Sequence, residues 1–516
     1  MTDTSISTLV GHIEASARGG IQSTVPVLNP FSGKRIYDLP QLSASQVEAA
    51  GQELRAAQVA WAETPAVKRA GILLELFDVL LKNQDKLIDV LQLETGKSRA
   101  HAFEEVSGAI QSALYYGKKS PKFLQREKTR AGVPVLTRTW VERIPLGVIG
   151  IITPWNYPMA LTALDVFPAL AAGNAVLQKA DNQTALSVLI LRQYAIAAGL
   201  PSELWTVVTG DGVEVGNAVT DNSDYVAFTG STATGQKVYQ RAAANFIGAS
   251  LELGGKNPMI VLPGAKPAKA AELAIGGAFG SAGQLCVSIE RVYVHDSIYD
   301  AFVTELGRRT EELTVGRSGE FDFDLGSLTS ASQLARVSGL VDEAVSKGAQ
   351  VIAGGKPLPA AGPNCYSPTV LTDVPEDARM FRGEVFGPVL AVSSYSEIED
   401  AIAQANDSEY GLNASVVGPQ AEAIRVANRL NAGSVNVNEG YRASFASMES
   451  PMGGVKLSGL GRRNGAAGLV KYTQTKTIGV ANSGLLGAVI HLPNRAREWK
   501  TMAPLFRILL KVLRRF

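Results

Sequence analysis

Two cysteines occur in the 516 residues, and one of them, Cys286, sits where a nucleophile would be placed. The segment GSAGQLCVSIERVYV puts it in a glycine-flanked turn that opens onto a β-branched run, and a thiol exposed at such a turn can attack an electrophilic carbon. Taken alone, it reads equally as an inert buried thiol. Glu252, in LELGGKNP, shifts that balance: it is an acid inside an apolar stretch, followed by two glycines. Burial raises a carboxyl pKa, and a carboxylate so tuned suits general-base work. Asn156, in TPWNYP at the end of another β-branched run, offers the amide donor that a developing oxyanion needs. Its alternative reading is an Asn turn between prolines. Nucleophile, base and oxyanion donor together describe covalent acyl chemistry. With four histidines and two cysteines, a zinc framework is excluded and no metal site is expected.

The elements that must carry these residues alternate. Residues 42–117 read as mostly helical, with Ser43 or Ser45 as the first cap and Ile72, Leu73, Leu76 and Leu80 at helical spacing. Strands are predicted over 148–153, 175–178, 205–208 and 225–228, with helices over 160–171 and 184–198 between them. A second series follows: helices over 268–278, 298–313, 331–347 and 398–405, and strands over 290–294, 350–352 and 389–394. Strands alternating with helices imply βαβ units and parallel sheets, hence two α/β bodies joined near Gly254–Gly255. The segment TRAGVPVLTRTWVERIP alternates polar and apolar residues and reads as an exposed or intermolecular β-ribbon.

Composition bounds the partners. Lys plus Arg is 49 against 48 Asp plus Glu, a net charge of +1, which argues against a chain-wide nucleic-acid footprint. Hydrophobic residues at 46% exclude general disorder. The N-terminal MTDTSISTLV has neither basic nor apolar region, so no signal peptide is read, and no apolar run reaches membrane-spanning length. The cysteine usage suits a reducing, cytoplasmic setting.

Six motifs in order, TPWNYP, FTGSTATG, LELGGKNP, GQLC, EVFGP and PMGGVKLSGLGR, resemble the NAD(P)-dependent aldehyde dehydrogenase superfamily over residues 25 to 480. Cys286 lies thirty-four positions after Glu252, and Lys179 twenty-three after Asn156, as in the family. The resemblance implies an aldehyde dehydrogenase-like α/β fold. Its parts would be a Rossmann-type NAD(P)-binding domain (1–123 and 145–254), an α/β catalytic domain (255–454), a small β oligomerisation ribbon (124–144 and 470–481) and an extension (482–516). It implies that Cys286 attacks the aldehyde, that Asn156 and the Cys286 backbone N–H hold the oxyanion, and that Glu252 activates the hydrolytic water. The cofactor, NADP or NAD, would be lined by Thr153, Pro154, Trp155, Lys179, Asn182, Gly212, Gly216, Phe228, Gly230, Ser231, Gly235, Leu253, Glu384 and Phe386. GDGVEVG is one residue too long for GxGxxG, so FTGSTATG is the phosphate turn, with Ser231 as its hydroxyl. Lys179 would reach the adenosine ribose, and Glu384 the nicotinamide ribose with Phe386 beside the ring. A homodimer or homotetramer is expected.

Departures from the motifs refine the expectation. Asn182 stands where NAD-preferring members carry Glu, which favours NADP, while Asp181 beside it partly restores an acid. Met452 and Arg463 replace the usual Phe and Glu of the last motif, and with SPTV, NEGY and GRRNG they resemble a succinate-semialdehyde dehydrogenase branch. Against that substrate, Leu164 occupies a position where some such enzymes have Arg; Arg442 reads equally as a substitute or as a surface-loop arginine, and another aliphatic or aromatic aldehyde stays open. A non-catalytic scaffold is disfavoured by the full catalytic set, and Glu252 favours hydrolysis over transfer to CoA. Residues 494–516 carry seven basic residues and one acid, with Trp499, Met502, Phe506, Leu509, Leu513 and Phe516 at helical spacing and Pro504 near the start. That basic amphipathic helix would lie on a membrane surface or pack on a neighbouring subunit.

Overall fold

A computed structural model describes residues 3–17, 20–131, 137–481 and 495–514. The chain divides into two compact units, residues 1–123 with 145–473, and residues 124–144 with 474–516. Both α/β bodies belong to the first, so the expected boundary near Gly254 is a crossover within one unit.

The first sheet has six strands. Val148–Ile152 lies inside it, flanked by Ala175–Lys179 and then Trp205–Val208 on one side, and by Tyr225–Thr229 and then Gly248–Glu252 on the other. These five run parallel. Strand order therefore reverses between Val148–Ile152 and Tyr225–Thr229, and the carboxyl ends there open the crevice where doubly wound sheets bind ligands. A short sixth strand, Gly459–Leu460, pairs antiparallel with Gly248–Glu252 and brings the last motif back to this sheet. The helical segment before the sheet starts at a capping box: Ser43, not Ser45, caps Ala44–Glu63, and its N–H donates to Gln46 Oε1 at 2.9 Å.

After Glu252 the chain crosses through Leu253–Lys256 into the second sheet of seven strands. Asn257–Val261 pairs with Ile289–His295 on one side and Asn413–Val417 on the other, all parallel; only the edge strand Gln350–Ala353 is antiparallel. Apolar side chains of both faces are buried against Pro267–Ala278, Tyr299–Glu311 and Ala331–Ser346 on one side and Ile398–Asn406 and Gln420–Ala427 on the other. Cys286 thus lies at the amino edge of this sheet, facing the carboxyl edge of the first.

In the second unit Thr473–Ala481, Thr137–Pro145 and Glu127–Thr129 form a three-stranded sheet in that order. The ribbon strand begins at Thr473 because Val470 closes the helix Gly465–Val470, so residues 470–472 are not strand. Residues 132–136, within the predicted ribbon, and 482–494, 515 and 516, within the predicted extension, lie outside the described residues. Ala496–Leu513 is a continuous helix through Pro504. The structure adds an N-terminal helix, Asp3–Ser16, and a hairpin of Ser23–Leu28 with Arg35–Gln41.

Candidate active site

The turn before Cys286 is strained and braced. Ser281, Ala282 and Gly283 all have left-handed backbones, φ 50°, 55° and 70°. For residues other than glycine this costs about 1–3 kcal/mol each, so surrounding contacts must hold it. A Cβ on Gly283 would overlap the Gly387 carbonyl, and Tyr157 Oη lies 2.8 Å from Ser281 Oγ. Beyond the thiol, Asn257 Nδ2 donates to the carbonyls of Cys286 (2.8 Å) and Ser288 (2.7 Å). Asn257 Oδ1 accepts from the Asn413 N–H, Asn413 Nδ2 donates to Val287 O, and Asn436 Nδ2 donates to Asn413 Oδ1. Three buried asparagines on adjacent strands therefore fix the backbone from the thiol to Ser288.

Asn156 is buried and its Nδ2 donates to the Gln284 carbonyl at 3.0 Å. One hydrogen of that NH₂ thus grips the cysteine turn two residues ahead of the thiol, and the other is available to an oxyanion. The helix that follows, Pro158–Ala171, starts without a side-chain cap of its own. Glu105 takes that role from outside: its Oε1 accepts from the N–H of Met159 (2.8 Å) and Ala160 (3.3 Å), and it pairs with Lys97. Lys97 and Glu105 are both buried, and loss of one partner from such a pair typically costs about 3–5 kcal/mol.

Burial pushes the Glu252 carboxyl up to about 7, against the opposing pull of Arg463 and Lys471. Its Oε1 is buried and makes no hydrogen bond among the described residues. A Cβ on Gly453 would stand 3.1 Å from it, so this glycine is what leaves room for the carboxylate. Burial also pushes the Cys286 thiol up to about 12, and the charges of Glu252 and Glu384 add to the effect. The resting thiol is therefore protonated at neutral pH, beside a carboxyl group poised to ionise there.

Glu384 is likewise raised to about 7 by burial and by Glu290, and accepts from the Gly255 N–H at 2.9 Å. Its loop is anchored from below. Glu290 accepts from the N–H of Val385 (3.0 Å) and Phe386 (2.9 Å), and forms a buried ion pair with Lys256 at 2.8 Å. Arg336 donates to the Glu384 and Val385 carbonyls, and Gln333 to that of Phe386. The Phe386 ring meets Trp155 edge to face at 5.6 Å. Thr153, Pro154, Trp155 and Asn156 thus follow the first central strand opposite this loop.

A cavity of about 680 Å³ opens between the N-terminus of the helix Thr232–Ala244 and the helix Ala331–Ser346, lined by Ser231, Thr232, Gln236, Arg336, Glu384 and Leu457 among others. A helix start with its free N–H groups and a nearby guanidinium fit a pyrophosphate. Ser231 Oγ is already the cap of that helix, accepting from Thr234 N–H at 3.3 Å. Gly230 and Gly235 make space chiefly for protein: Cβ atoms there would meet Phe228 and Leu253 at 2.6 and 2.5 Å. Lys179 is nearly buried at its strand end. Asn182 donates to Gln41 Oε1 and accepts from Gly210 N–H, while Asp181 is occupied in accepting from Gln183 N–H. Gly212 is exposed in the neighbouring loop and Gly216 is buried in the helix Glu214–Asp221; the glycine that the backbone requires there is Gly210, at φ 153°.

The bracing residues were not read from the sequence: Glu290, Lys256, Gln333, Arg336, Lys97, Glu105 and the three asparagines. The available signal was charge inside apolar runs, as in SIERVYV, but it carries no partner.

A family model described as the aldehyde dehydrogenase family matches residues 18–478. A Mycobacterium tuberculosis (H37Rv) protein named "Putative succinate-semialdehyde dehydrogenase (NADP(+)) 2" is 45% identical over 484 residues, 93% of each chain. The Escherichia coli K12 protein named succinate-semialdehyde dehydrogenase (NADP(+)) GabD is 35% identical over 88% of this chain and 93% of its own. A crystal structure of succinate-semialdehyde dehydrogenase from Burkholderia pseudomallei superposes with a TM-score of 0.85 at 33% identity, covering 89% of this chain and 95% of that one.

Because burial, with two carboxylates beside it, holds the thiol protonated, iodoacetamide should alkylate the cofactor-free protein slowly at pH 8, faster as pH rises, and without a plateau below about pH 10. Glu384→Gln should speed alkylation by about tenfold at pH 8, since losing a like charge lowers the thiol pKa. Mass spectrometry of the Cys286 peptide against time measures both.

Proposed function

The chain belongs to the aldehyde dehydrogenase family, and from that premise we propose that it oxidises an aldehyde to the carboxylic acid in two halves, with Cys286 carrying the acyl group between them. The observation that carries this reading is the meeting of Cys286, Asn156, Glu252 and Glu384 in one site. Cys286, which is partly exposed, releases its proton to solvent and attacks the carbonyl carbon as the thiolate, and the Asn156 amide with the Cys286 N–H receives the negative charge on oxygen. When bound, NAD(P)⁺ would supply the hydride acceptor for the step that leaves the acyl group on Cys286 as a thioester. Glu252, near 7 and with no hydrogen bond to its buried Oε1 among the described residues, then takes a proton from the water that splits the thioester. Lys179 and Glu384 hold the two riboses, and the N-terminus of Thr232–Ala244 the pyrophosphate. NADP is the favoured cofactor: Asn182 carries no charge against a 2′-phosphate, and Lys179 is at hand.

The names of the relatives make succinate semialdehyde the first substrate to try, with Arg442 as the partner of its distal carboxylate. A neutral aldehyde is the second reading, and a specific observation favours it. The side chains packed around Cys286 are apolar, among them Tyr157, Leu161, Leu164, Leu285 and Phe445, and Arg442 is already paired with Glu104 at 3.2 Å.

Two further parts of the proposal concern assembly. The ribbon in the second unit ends in edge strands with mostly exposed residues, which suits pairing with a second copy in a homodimer or homotetramer. Ala496–Leu513 presents Trp499, Leu505, Ile508 and Leu510 as exposed apolar side chains, and Arg497, Lys500, Arg507, Lys511 and Arg514 fall on the opposite arc. Among the described residues no helix is long and apolar enough to cross a membrane. The tail therefore fits peripheral contact with an anionic membrane surface from the cytoplasm, where two free cysteines stay reduced.

Four sets of outcomes test these readings. Cys286→Ala should abolish turnover with a folded protein, while Glu252→Gln should keep a burst of reduced cofactor and slow the steady state by about 10²–10⁴-fold, as loss of a general base does; rapid-mixing absorbance separates the phases. In a panel run with NAD and NADP separately, NADP should serve at least comparably, and Asn182→Glu should turn preference toward NAD by about tenfold or more through repulsion of the 2′-phosphate. If succinate semialdehyde is the substrate, Arg442→Ala raises its KM and leaves that of hexanal unchanged. Finally, full-length protein should co-sediment with phosphatidylserine vesicles in a salt-sensitive way and a truncation after Pro493 should not, with light scattering showing the same oligomer for both; a smaller oligomer on truncation would place the tail between subunits.

A further inference from the structure

Beneath Glu252 lies a buried charge cluster that the reaction as described leaves unused. Asp165, on the helix Pro158–Ala171, accepts from Arg463 Nε at 3.0 Å, from Lys471 Nζ at 3.0 Å and from Tyr472 Oη at 2.7 Å. Arg463 also donates to Thr229 Oγ1, and Lys471 to Ser250 Oγ at 3.2 Å. Those two hydroxyls locate the cluster. Thr229 is the register partner of Glu252 on the adjacent parallel strand, and Ser250 precedes Glu252 by two on its own strand. Register partners and residues two apart share a face of a sheet. The Asp165–Arg463–Lys471 cluster therefore sits against the face from which the Glu252 side chain projects. On the other side, Gly459 pairs with Glu252, and Gly453 leaves the notch beside its Oε1.

Arg463 is 2% exposed and Asp165 fully buried. Two unlike charges are seldom retained in such a place for stability alone, since apolar residues often pack as well.

We propose that Arg463 is a positioning residue for Glu252: clamped by Asp165 and Thr229, its guanidinium is fixed against the sheet face from which the Glu252 side chain projects and provides a cationic floor for that carboxyl, while Asp165 limits the effect. This rests on the reading of Glu252 as the base that releases the acyl group. The charged groups around Glu252 act in both directions. Arg463, Lys471 and Arg462 favour its ionised form, and Asp165 and burial oppose it. Across the site Cys286 senses the Glu252 charge, as does Tyr225 on the next strand. Without Arg463 the carboxyl would ionise only at higher pH; without Asp165 it would ionise at lower pH.

The test is the pH profile of acyl-enzyme hydrolysis, measured by rapid mixing with NADP and an aldehyde substrate, with burst amplitude counting the folded, competent sites. Arg463→Gln should move the acid limb of the profile to higher pH by about one unit, giving about a tenfold loss at pH 6.5 that largely recovers at pH 8.5. Asp165→Asn should move the limb to lower pH, and Arg463→Lys should keep it near its native place. A role confined to packing would lower the rate in both variants at every pH. Shifts of opposite sign support the proposal; equal or absent shifts overturn it. Glu252→Gln is the control on the underlying reading. If that variant hydrolyses the acyl-enzyme at the native rate, the base is misassigned and the inference falls with it. If Glu252→Gln is deficient and Arg463→Gln is unshifted, only the inference falls.

Discussion

The site depends on one buried carboxylate. Glu290 enters the second sheet four residues after the thiol, pairs with Lys256 at the crossover from the first sheet, and accepts from the N–H groups of Val385 and Phe386. Three stretches far apart in the chain, after Glu252, after Cys286 and around Glu384, are joined at this one side chain. Neither Lys256 nor Glu290 is solvated, so each needs the other, and the oxygens of Glu290 need the two amides as well. Charge-assisted hydrogen bonds of this kind are short and directional. They fix the cofactor-facing loop relative to the thiol by geometry, where apolar packing would only bring the two near.

Above that joint the chemistry is governed by burial and like charge. Cys286 is held as a thiol by burial and by two carboxylates, and those carboxylates are themselves raised toward neutrality. A protonated thiol resists adventitious oxidation and alkylation, so reactivity waits for a condition that offsets the negative field. Burial, only partly offset by Arg463 and Lys471, places Glu252 near the pH at which a base works best. Strain in the Ser281–Gly283 turn and the asparagine ladder serve the same end, because a nucleophile confined to one position loses little entropy on attack.

Much of this was legible in the chain. Short β-branched runs such as 148–152 and 225–229 announce buried parallel strands, and helix lengths between them fix the doubly wound order. The thiol, the base and the oxyanion amide stood out as polar residues in apolar or glycine-rich settings. Other features gave no local signal. Asn257–Val261 begins with Asn-Pro, which argues against a central strand; the structure accommodates Pro258 at an irregularity in the register. The left-handed turn at Ser281 and Ala282 contains no glycine at either position, so nothing in the residue types reveals it. Pairs such as Lys256 with Glu290 and Asp165 with Arg463 are visible as charges in apolar runs, but their partners lie 34 and 298 positions away. Only the topology brings them together.

The central claim is that Glu290 is the joint between the thiol strand and the cofactor loop. Replacing the pair together, Lys256→Met with Glu290→Leu, removes the charges without stranding either one, and such exchanges leave folds intact. Hydrogen exchange of the Val385 and Phe386 amides in this double variant is the most direct measurement. The account predicts a folded protein in which those two amides, and that of Gly255 held through Glu384, lose protection by about tenfold or more, as expected when a buried charged acceptor is removed. Protection unchanged from the native protein at all three amides would contradict it.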